Sequence, residues 1–490
     1  MKEIDQLGQF WLAGHDDDTL SGQLRFDPSD GGIRLALVGA FDHAKDDGGQ
    51  PAVRLHGWLG ADRVTLDRAF CSGNNWRSPG VAETSYYANR MFVGQHIQED
   101  EPSFQTVRIT LGHLGSWIGK TGIAEDRRFP RPPDTEAAYA LRFTPLPSET
   151  ASFARGRVTV GFSWKPGGNS IEGITFKQWP VVSIEYDMLQ PLHVISDDIS
   201  RLESLVTLCL DELTGTDTVI LTRPDVRMRM LDGSISELEQ SIELLFPPVG
   251  YVDPITRKRR QPYQMLLTYE ELGGIEAIAR WLDRSESFAR PLNVIMSIRR
   301  AKFMYAENRF LNVAGAAEAL HSLLVGGPHM DEAEFQNLFD AYLTGTPAEH
   351  HEWLRSKIEY GNEPPLRKRM QQLAGMAAPA TRPLIGDKSR WGYTVAAVRN
   401  ELTHIGRNSR QFDGEDLLFL TESVYAVSRV CMLLATGVPV DAIASKAESE
   451  PMNWYRSRLK HSMERLRTQL RSPRKEAASA DDDRAAPVTE

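Results

Sequence analysis

Cysteine is scarce: Cys71, Cys209 and Cys431 are three residues spread over 490 positions, with no C-x-x-C pair. That spacing excludes a disulfide scaffold and a cysteine-built zinc site. A run of about eighteen apolar residues, the length a membrane span needs, is also missing. The nearest candidate, Leu417 to Leu434, is interrupted by Glu422 and Arg429. The opening MKEIDQLGQFW has no apolar stretch behind a basic end and does not read as a signal peptide. Positive charge is not in excess: 56 Lys and Arg against 66 Asp and Glu leave a net charge of −10. A protein that coats nucleic acid by bulk charge would be basic, so nucleic-acid contact would have to come from a local patch. Sequence repeats are absent too. Together these absences predict a cytoplasmic protein with no membrane partner. With 41% hydrophobic and 25% charged residues, the chain has enough apolar material for several cores.

The first 190 residues or so read as β-rich. Ile33, Leu35 and Leu37 alternate with Arg34 and Ala36; Val53 to Leu55, Val64 to Leu66, Val107 to Leu111 and Val158 to Val160 repeat the pattern. Short period-2 runs between Gly, Pro and Asp clusters mark half-buried strands of a sandwich or barrel. Residues 191–275 are mixed: helical spacing from Ile199 to Leu213, then strand-like runs at Val219 to Leu221 and Ile242 to Phe246. This segment reads as an α/β extension of the first domain. From about 271 the period becomes 3.6, predicting helices over Glu271–Leu282, Ala306–Leu324, Asp331–Leu343, Pro347–Tyr360, Pro365–Ala374, Lys388–Ile405 and Asp416–Ala435. Gly361, Gly406 and Gly437 sit where left-handed helix ends are wanted. The fold class is therefore α+β and multidomain, a β-rich N-terminal half before an all-α bundle at 276–450. Residues 451–490 form a basic segment and an acidic tail. Met452 to Lys475 carries eight cations against Glu464 alone, and the last fifteen residues carry five acids against Arg484. The tail reads as disordered.

Several motifs carry less chemistry than they suggest. Gly119-Lys120-Thr121 ends like a phosphate-binding loop, but the glycine needed five positions earlier is Leu114. His15-Asp16-Asp17-Asp18 and His350-His351 lack the i, i+4 histidine pair that puts two metal ligands on one helix face, so no metal or cofactor is expected. Arg257-Lys258-Arg259-Arg260 reads as an exposed loop or, alternatively, a phosphate clamp.

The informative stretch is Arg399-Asn400-Glu401-Leu402-Thr403-His404. Its helix has an apolar seam at Trp391, Val395, Val398, Leu402 and Ile405 that must face a core. Asn400 and His404, one turn apart, point nearly opposite that seam, with Arg399 on the flank. Such a polar cluster is solvated surface or a site. It resembles the Arg-x(4–6)-His motif of HEPN ribonuclease domains, with four residues between Arg399 and His404. The helix from Arg309 to His321, which carries Glu318, resembles the opening HEPN helix. In the N-terminal half, Val93-Gly94-Gln95-His96-Ile97, Phe104, Val107 to Leu111 and Leu114-Gly115-Ser116-Trp117 resemble the β-rich domain of ApeA-type anti-phage proteins.

The resemblance spans roughly residues 5–440 and implies a metal-independent endoribonuclease acting by abortive infection. Arg399, Asn400 and His404 would be catalytic, Glu318 supporting, and Arg257, Lys258, Arg259, Arg260 and Arg407 RNA-binding. Products would be a 2′,3′-cyclic phosphate and a 5′-OH. It also implies an RNA substrate such as a tRNA anticodon loop, a phage-derived trigger, a homodimer or larger homo-oligomer, and a sensing or gating N-terminal domain. Two alternatives stay open: a non-catalytic HEPN module that binds a nucleotide or partner, and a β-sandwich ligand-binding protein with a helical oligomerisation domain.

Overall fold

A computed structural model describes residues 1–29, 32–41, 52–75, 80–128, 138–169, 171–229, 234–248, 253, 256–403 and 410–472. The chain divides into two compact units, Met1–Asp283 and Arg284–Glu490.

Unit 1 begins with six strands: β1 (Ile4–Leu12), β2 (Leu20–Asp27), β3 (Gly32–Val38), β4 (Val53–Leu59), β5 (Asp62–Asn75) and β6 (Glu83–Val93). Each pairs antiparallel with the next in the order β1-β2-β3-β6-β5-β4, and β4 returns to β1. The sheet is a closed barrel, so these strands have no free edge. The alternation seen in the sequence is its inside and outside: Ile33, Leu35 and Leu37 are buried with Phe10, Leu24, Phe26, Leu55, Leu66 and Met91, while Arg34 and Ala36 face out. Gly8 and Gly22 sit opposite each other on β1 and β2. A Cβ at Gly8 would stand 2.4 Å from the Trp58 carbonyl oxygen, so only glycine lets the coiled strands approach this closely.

The end of β6 leaves β3 and pairs instead with β16 (Ile242–Leu245). A second antiparallel sheet runs on from there through β13 (Thr216–Thr222), β7 (Ser103–Leu111), β12 (Gly173–Pro191), β11 (Gly156–Asn169) and β10 (Glu149–Phe153). Helix α1 (Leu114–Ile118) follows β7, and the two-stranded ribbons β8 (Ile123–Arg127)/β9 (Tyr139–Phe143) and β14 (Arg227–Arg229)/β15 (Ile235–Glu239) project from the connections. Helix α2 (Leu192–Leu210) packs Leu192, Ile195, Ile199, Leu202, Leu205 and Leu208 against β7 and β12. Its fully buried Asp198 accepts from the Tyr186 hydroxyl at 2.9 Å and pairs with Arg155 and Arg201. The mixed segment thus supplies both a covering helix and two strands of this sheet. The single helix expected over Glu271–Leu282 is two, α3 (Tyr269–Leu272) and α4 (Gly274–Arg284), because Gly273 and Gly274 have φ of 108° and 63° and break the ladder.

Unit 2 is helical: α5 (Ala289–Arg300), α6 (Ala306–Leu324), α7 (Glu332–Thr344), α8 (His351–Ile358), α9 (Leu366–Met376), α10 (Ala378–Ile385), α11 (Lys388–Thr403), α12 (Gly414–Ala435), α13 (Val440–Ala444), α14 (Glu450–Asn453) and α15 (Arg456–Arg471). Helix α12 is the centre, with α6, α9, α10 and α15 around it. It is long and apolar enough to cross a membrane, yet 83% of its most apolar stretch is buried, as a core helix requires. Asp413 caps it, accepting from the Glu415 amide at 2.8 Å. Helices α7 and α8 pack on each other with Leu343 their one buried side chain. Gly437 is left-handed as expected, with φ 87°; Gly361 is not, and Gly406 lies outside the described residues. The basic segment after 451 is a packed helix, α15, which buries Leu459, Met463 and Leu466. Residues 473–490, the acidic tail, lie outside the described residues.

Candidate functional site

Helix α11 starts where the Asp387 carboxylate accepts the Arg390 amide at 2.8 Å. Its buried face is Trp391, Thr394, Val395 and Val398, all fully enclosed. The Trp391 indole N–H donates to the Ser423 hydroxyl of α12 at 2.9 Å, which fixes the rotation of α11 about its axis. With that face fixed, the 100° step per residue leaves Tyr393 and Asn400 exposed and Arg399 on the flank.

The Arg399 side chain is 36% exposed, and its Nη2 stands 3.5 Å from Glu318 Oε2 on α6. Its Nη1 is 3.4 Å from Asn400 Oδ1. Both contacts are long, and a half-exposed pair at this distance is weak. The Thr403 hydroxyl donates back to the Arg399 and Asn400 carbonyls at 3.1 Å, closing the last helical turn. The structure therefore brings together Arg399, Asn400 and Glu318. His404 and Arg407 lie outside the described residues.

The spacing of residues gave no sign of what flanks that segment. Arg410 Nη1 pairs with Glu401 Oε1 at 2.7 Å, with side chains only 18% and 13% exposed, and Arg410 Nη2 donates to the Ser472 carbonyl at 2.8 Å. An ion pair between positions 401 and 410 so brackets residues 404–409. A second unanticipated feature is His321, one turn beyond Glu318 on α6. It is buried, its Nε2 lies 2.8 Å from Gln372 Oε1, and burial lowers its pKa, which favours a neutral ring. Its partner Gln372 is 51 positions away, so only an amphipathic-face reading of α6 could have flagged the histidine.

The basic run Arg257–Arg260 belongs to unit 1. Arg257 is held by Asp217 through two hydrogen bonds of 2.8 Å, and Arg260 pairs with Glu212. Two of its four cations are thus occupied by carboxylates. Lys258 and Arg259 line a cleft of about 540 Å³ with His113, Lys120, Gln178 and Trp179. His113 there has a left-handed backbone, φ 61°, and burial together with Arg257 and Arg260 pushes its pKa down to about 4. The Gly119-Lys120-Thr121 stretch is the end of α1, not a phosphate loop: Gly119 caps the helix with φ 69°, and Lys120 pairs with Glu149 and Glu270 at 2.5 and 2.6 Å. His351 contacts the Thr346 carbonyl at 2.8 Å. Among the described residues, no three His, Cys, Asp or Glu side chains converge as metal ligands would.

Comparison with protein families matches residues 6–281 to ApeA N-terminal domain 1 and residues 311–442 to the ApeA-like HEPN domain. No curated protein and no solved structure matches the chain. The first match covers the barrel and second sheet. The second runs from α6 to the start of α13, so Glu318, Arg399 and Asn400 all lie inside it. With more than half its length accounted for by the first match alone, the chain belongs to the ApeA family, an ApeA N-terminal domain followed by an ApeA-like HEPN domain.

Proposed function

We propose that this ApeA protein is an anti-phage endoribonuclease that cleaves RNA without a metal ion and acts in the cytoplasm by abortive infection. HEPN domains are generally nucleases, and the observation that carries the reading is Arg399. Its guanidinium is half-exposed at the end of a packed helix, and among the described residues its side chain is tied by long contacts to Glu318 and Asn400. A cation held in place but not neutralised by a tight partner is suited to a phosphate whose charge grows during reaction.

In this mechanism His404 takes the proton of a ribose 2′-OH, and the freed oxygen attacks the adjacent phosphorus. An imidazole has an ordinary pKa near 6.5, which suits proton transfer at cellular pH. Arg399 stabilises the pentavalent phosphorane, while Asn400 orients the imidazole or donates to a phosphate oxygen. The P–O5′ bond breaks, the imidazolium returns its proton to the departing oxygen, and the ends are a 2′,3′-cyclic phosphate and a 5′-OH. One arginine and one histidine make a sparse site by themselves. A homodimer that brings two copies together would supply a second cation and a second proton carrier. Unit 1 serves as sensor or gate for a phage-derived trigger, a role that biases two states of the molecule.

Purified protein incubated with total tRNA tests this reading. Cleavage should persist in excess EDTA, yield cyclic-phosphate ends, and vanish in His404→Ala. Retained cleavage by His404→Ala protein refutes the chemistry, and loss in EDTA with rescue by magnesium refutes metal independence. For the gate, residues 284–472 expressed alone should be more toxic to cells than the full chain. A folded, dimeric and harmless fragment overturns that role.

A further inference from the structure

The basic helix α15 lies beyond the HEPN match, which ends at residue 442. Its cations are sorted by face. On one side Arg465 pairs with the fully buried Asp416, its Nε 2.9 and 3.0 Å from the carboxylate oxygens, and Arg458 sits 3.9 Å from Glu415. On the other side Lys460, Arg467 and Arg471, spaced seven and four apart, share one helical stripe. Among the described residues none of these three pairs with a carboxylate, and neither do Arg367 of α9 or Arg390 of α11. These unpaired cations all line two cavities of about 490 and 290 Å³ that share Arg390, Glu464 and Arg467, so they read as one continuous groove. Glu464 and Asp387 are its two acids, well outnumbered. Like charges that outnumber the opposite charges around a cavity raise the free energy of the empty site, and a polyanion lowers it.

One further element distinguishes the groove from a generic cationic surface. Tyr393 lines it, 41% exposed, with the Arg367 guanidinium 5.5 Å above its ring. Tyr393 and Asn400 lie seven residues apart on α11, hence on the same face and about 10 Å apart along the axis. Between them on that face stands Ala397, a small and partly buried side chain. A flat ring beside a file of cations is how proteins hold single-stranded nucleic acid, with bases stacking on the ring and phosphates following the charges.

We infer that the α9–α11–α15 groove is a binding track for single-stranded RNA, with Lys460, Arg467, Arg471 and Arg390 on phosphates and Tyr393 stacking on a base, leading the strand along α11 toward Asn400. The assignment rests on reading unit 2 as an RNA-acting module. It adds a substrate surface from a helix that the family match does not include.

The test uses the full-length chain and a fluorescein-labelled 2′-O-methyl oligonucleotide of about 15 residues, which binds but cannot be cut, since its 2′-oxygens are blocked. Anisotropy is followed against salt. Lys460→Gln/Arg467→Gln/Arg471→Gln should raise Kd about tenfold or more and flatten the log–log salt slope by about 2, since each phosphate of a single strand that a cation neutralises contributes roughly 0.7. Arg458→Gln, on the opposite face of the same helix, should change neither. Tyr393→Leu should weaken binding and Tyr393→Phe restore it. On a cleavable RNA the triple variant should raise KM with kcat kept. Wild-type binding with an unchanged slope in the triple variant overturns the track, as does wild-type protein that binds no oligonucleotide. Binding that depends on these residues in a protein that never cleaves RNA upholds the track and refutes the ribonuclease reading instead.

Discussion

Arg399 should matter little for folding and greatly for chemistry, and the structure sets both magnitudes. Among the described residues its carboxylate contact is Glu318 at 3.5 Å, with side chains 36% and 31% exposed. Pairs of that kind contribute about 0.2–1 kcal/mol. For a unit of roughly 200 residues, removing such a pair moves Tm by about 2–4 °C at most. A preorganised donor aimed at developing negative charge contributes far more to the reaction, about 10²–10³ in kcat, or about 2.7–4 kcal/mol. Arg399→Ala should therefore melt within about 4 °C of the parent yet cleave RNA at least about a hundredfold more slowly in single-turnover assays. Arg399→Lys keeps the charge but loses the planar fork and should fall between. Glu318→Gln, which removes the weak partner but leaves the guanidinium, should change Tm as little and slow cleavage by no more than about tenfold. An Arg399→Ala protein that melts more than about 10 °C early makes the residue structural. One that cleaves within threefold of the parent removes it from the chemistry.

Three further outcomes follow from named contacts. His113 has its pKa depressed to about 4 by burial, with Arg257 and Arg260 adding to it. As pH falls below about 6.5 the unfolded chain takes up this proton first, so stability present above 6.5 declines until about pH 4, by at most about 3 kcal/mol. His113→Asn, which tolerates the left-handed backbone, should flatten the difference between urea midpoints at pH 7.5 and 5.0, and an unaltered difference disproves the linkage. Asp67, buried in the barrel wall, meets Arg54 Nη2 at 2.6 Å and Arg90 Nε at 2.5 Å, and these guanidiniums outweigh the burial that would raise its pKa, holding it below the usual carboxylate range. Asp67→Asn should destabilise unit 1 by about 3 kcal/mol in thermal melts, since it leaves two guanidiniums facing each other; a loss below about 1 kcal/mol would contradict this. Glu401→Gln, which breaks the pair to Arg410 around residues 404–409, should cost about 1–3 kcal/mol in unit 2 and slow cleavage about ten- to a hundredfold with the protein still folded. Unchanged cleavage by that folded variant separates the Glu401–Arg410 pair from the chemistry.

What could be read in the sequence was whatever repeats locally. The alternation of Ile33, Leu35 and Leu37 gave the inward face of β3, and the Trp391–Val395–Val398 seam gave the rotation of α11, with Arg399 on its flank. Closure of the barrel was not legible, because it depends on β6 meeting β3 and β5 at once, and period-2 patterning names a face but never a neighbour. Helix α10 was hidden by its prolines: Pro379 occupies the first turn, where a missing N–H does no harm, and Pro383 sits inside. The charge of Arg257–Arg260 was plain, but its carboxylates, Asp217 and Glu212, come from some forty residues upstream. For the same reason the run looked freer than it is.

The segment after residue 451 shows how far composition misleads when faces are ignored. Eight cations against one acid read as a uniformly basic stretch. Folded, it is two surfaces with opposite duties. The face with Leu459, Met463, Leu466 and Arg465 is structural: it covers α12 and neutralises Asp416, whose carboxylate is completely buried. A charge in that position without its partner is strongly destabilising, so α15 cannot be cut away without loosening the helix at the centre of unit 2. The physical domain therefore extends to Arg471, past the residue at which the HEPN match ends. Any fragment meant to report on the helical unit must include α15, because a version stopping near 450 would leave Asp416 unpaired and the apolar side of α12 wet. The opposite flank carries Lys460, Arg467 and Arg471, which among the described residues pair with no carboxylate. That division makes Lys460, Arg467 and Arg471 open to substitution, so that a loss of RNA binding in their neutral variants, if the proposed track exists, would report on the groove and not on the fold.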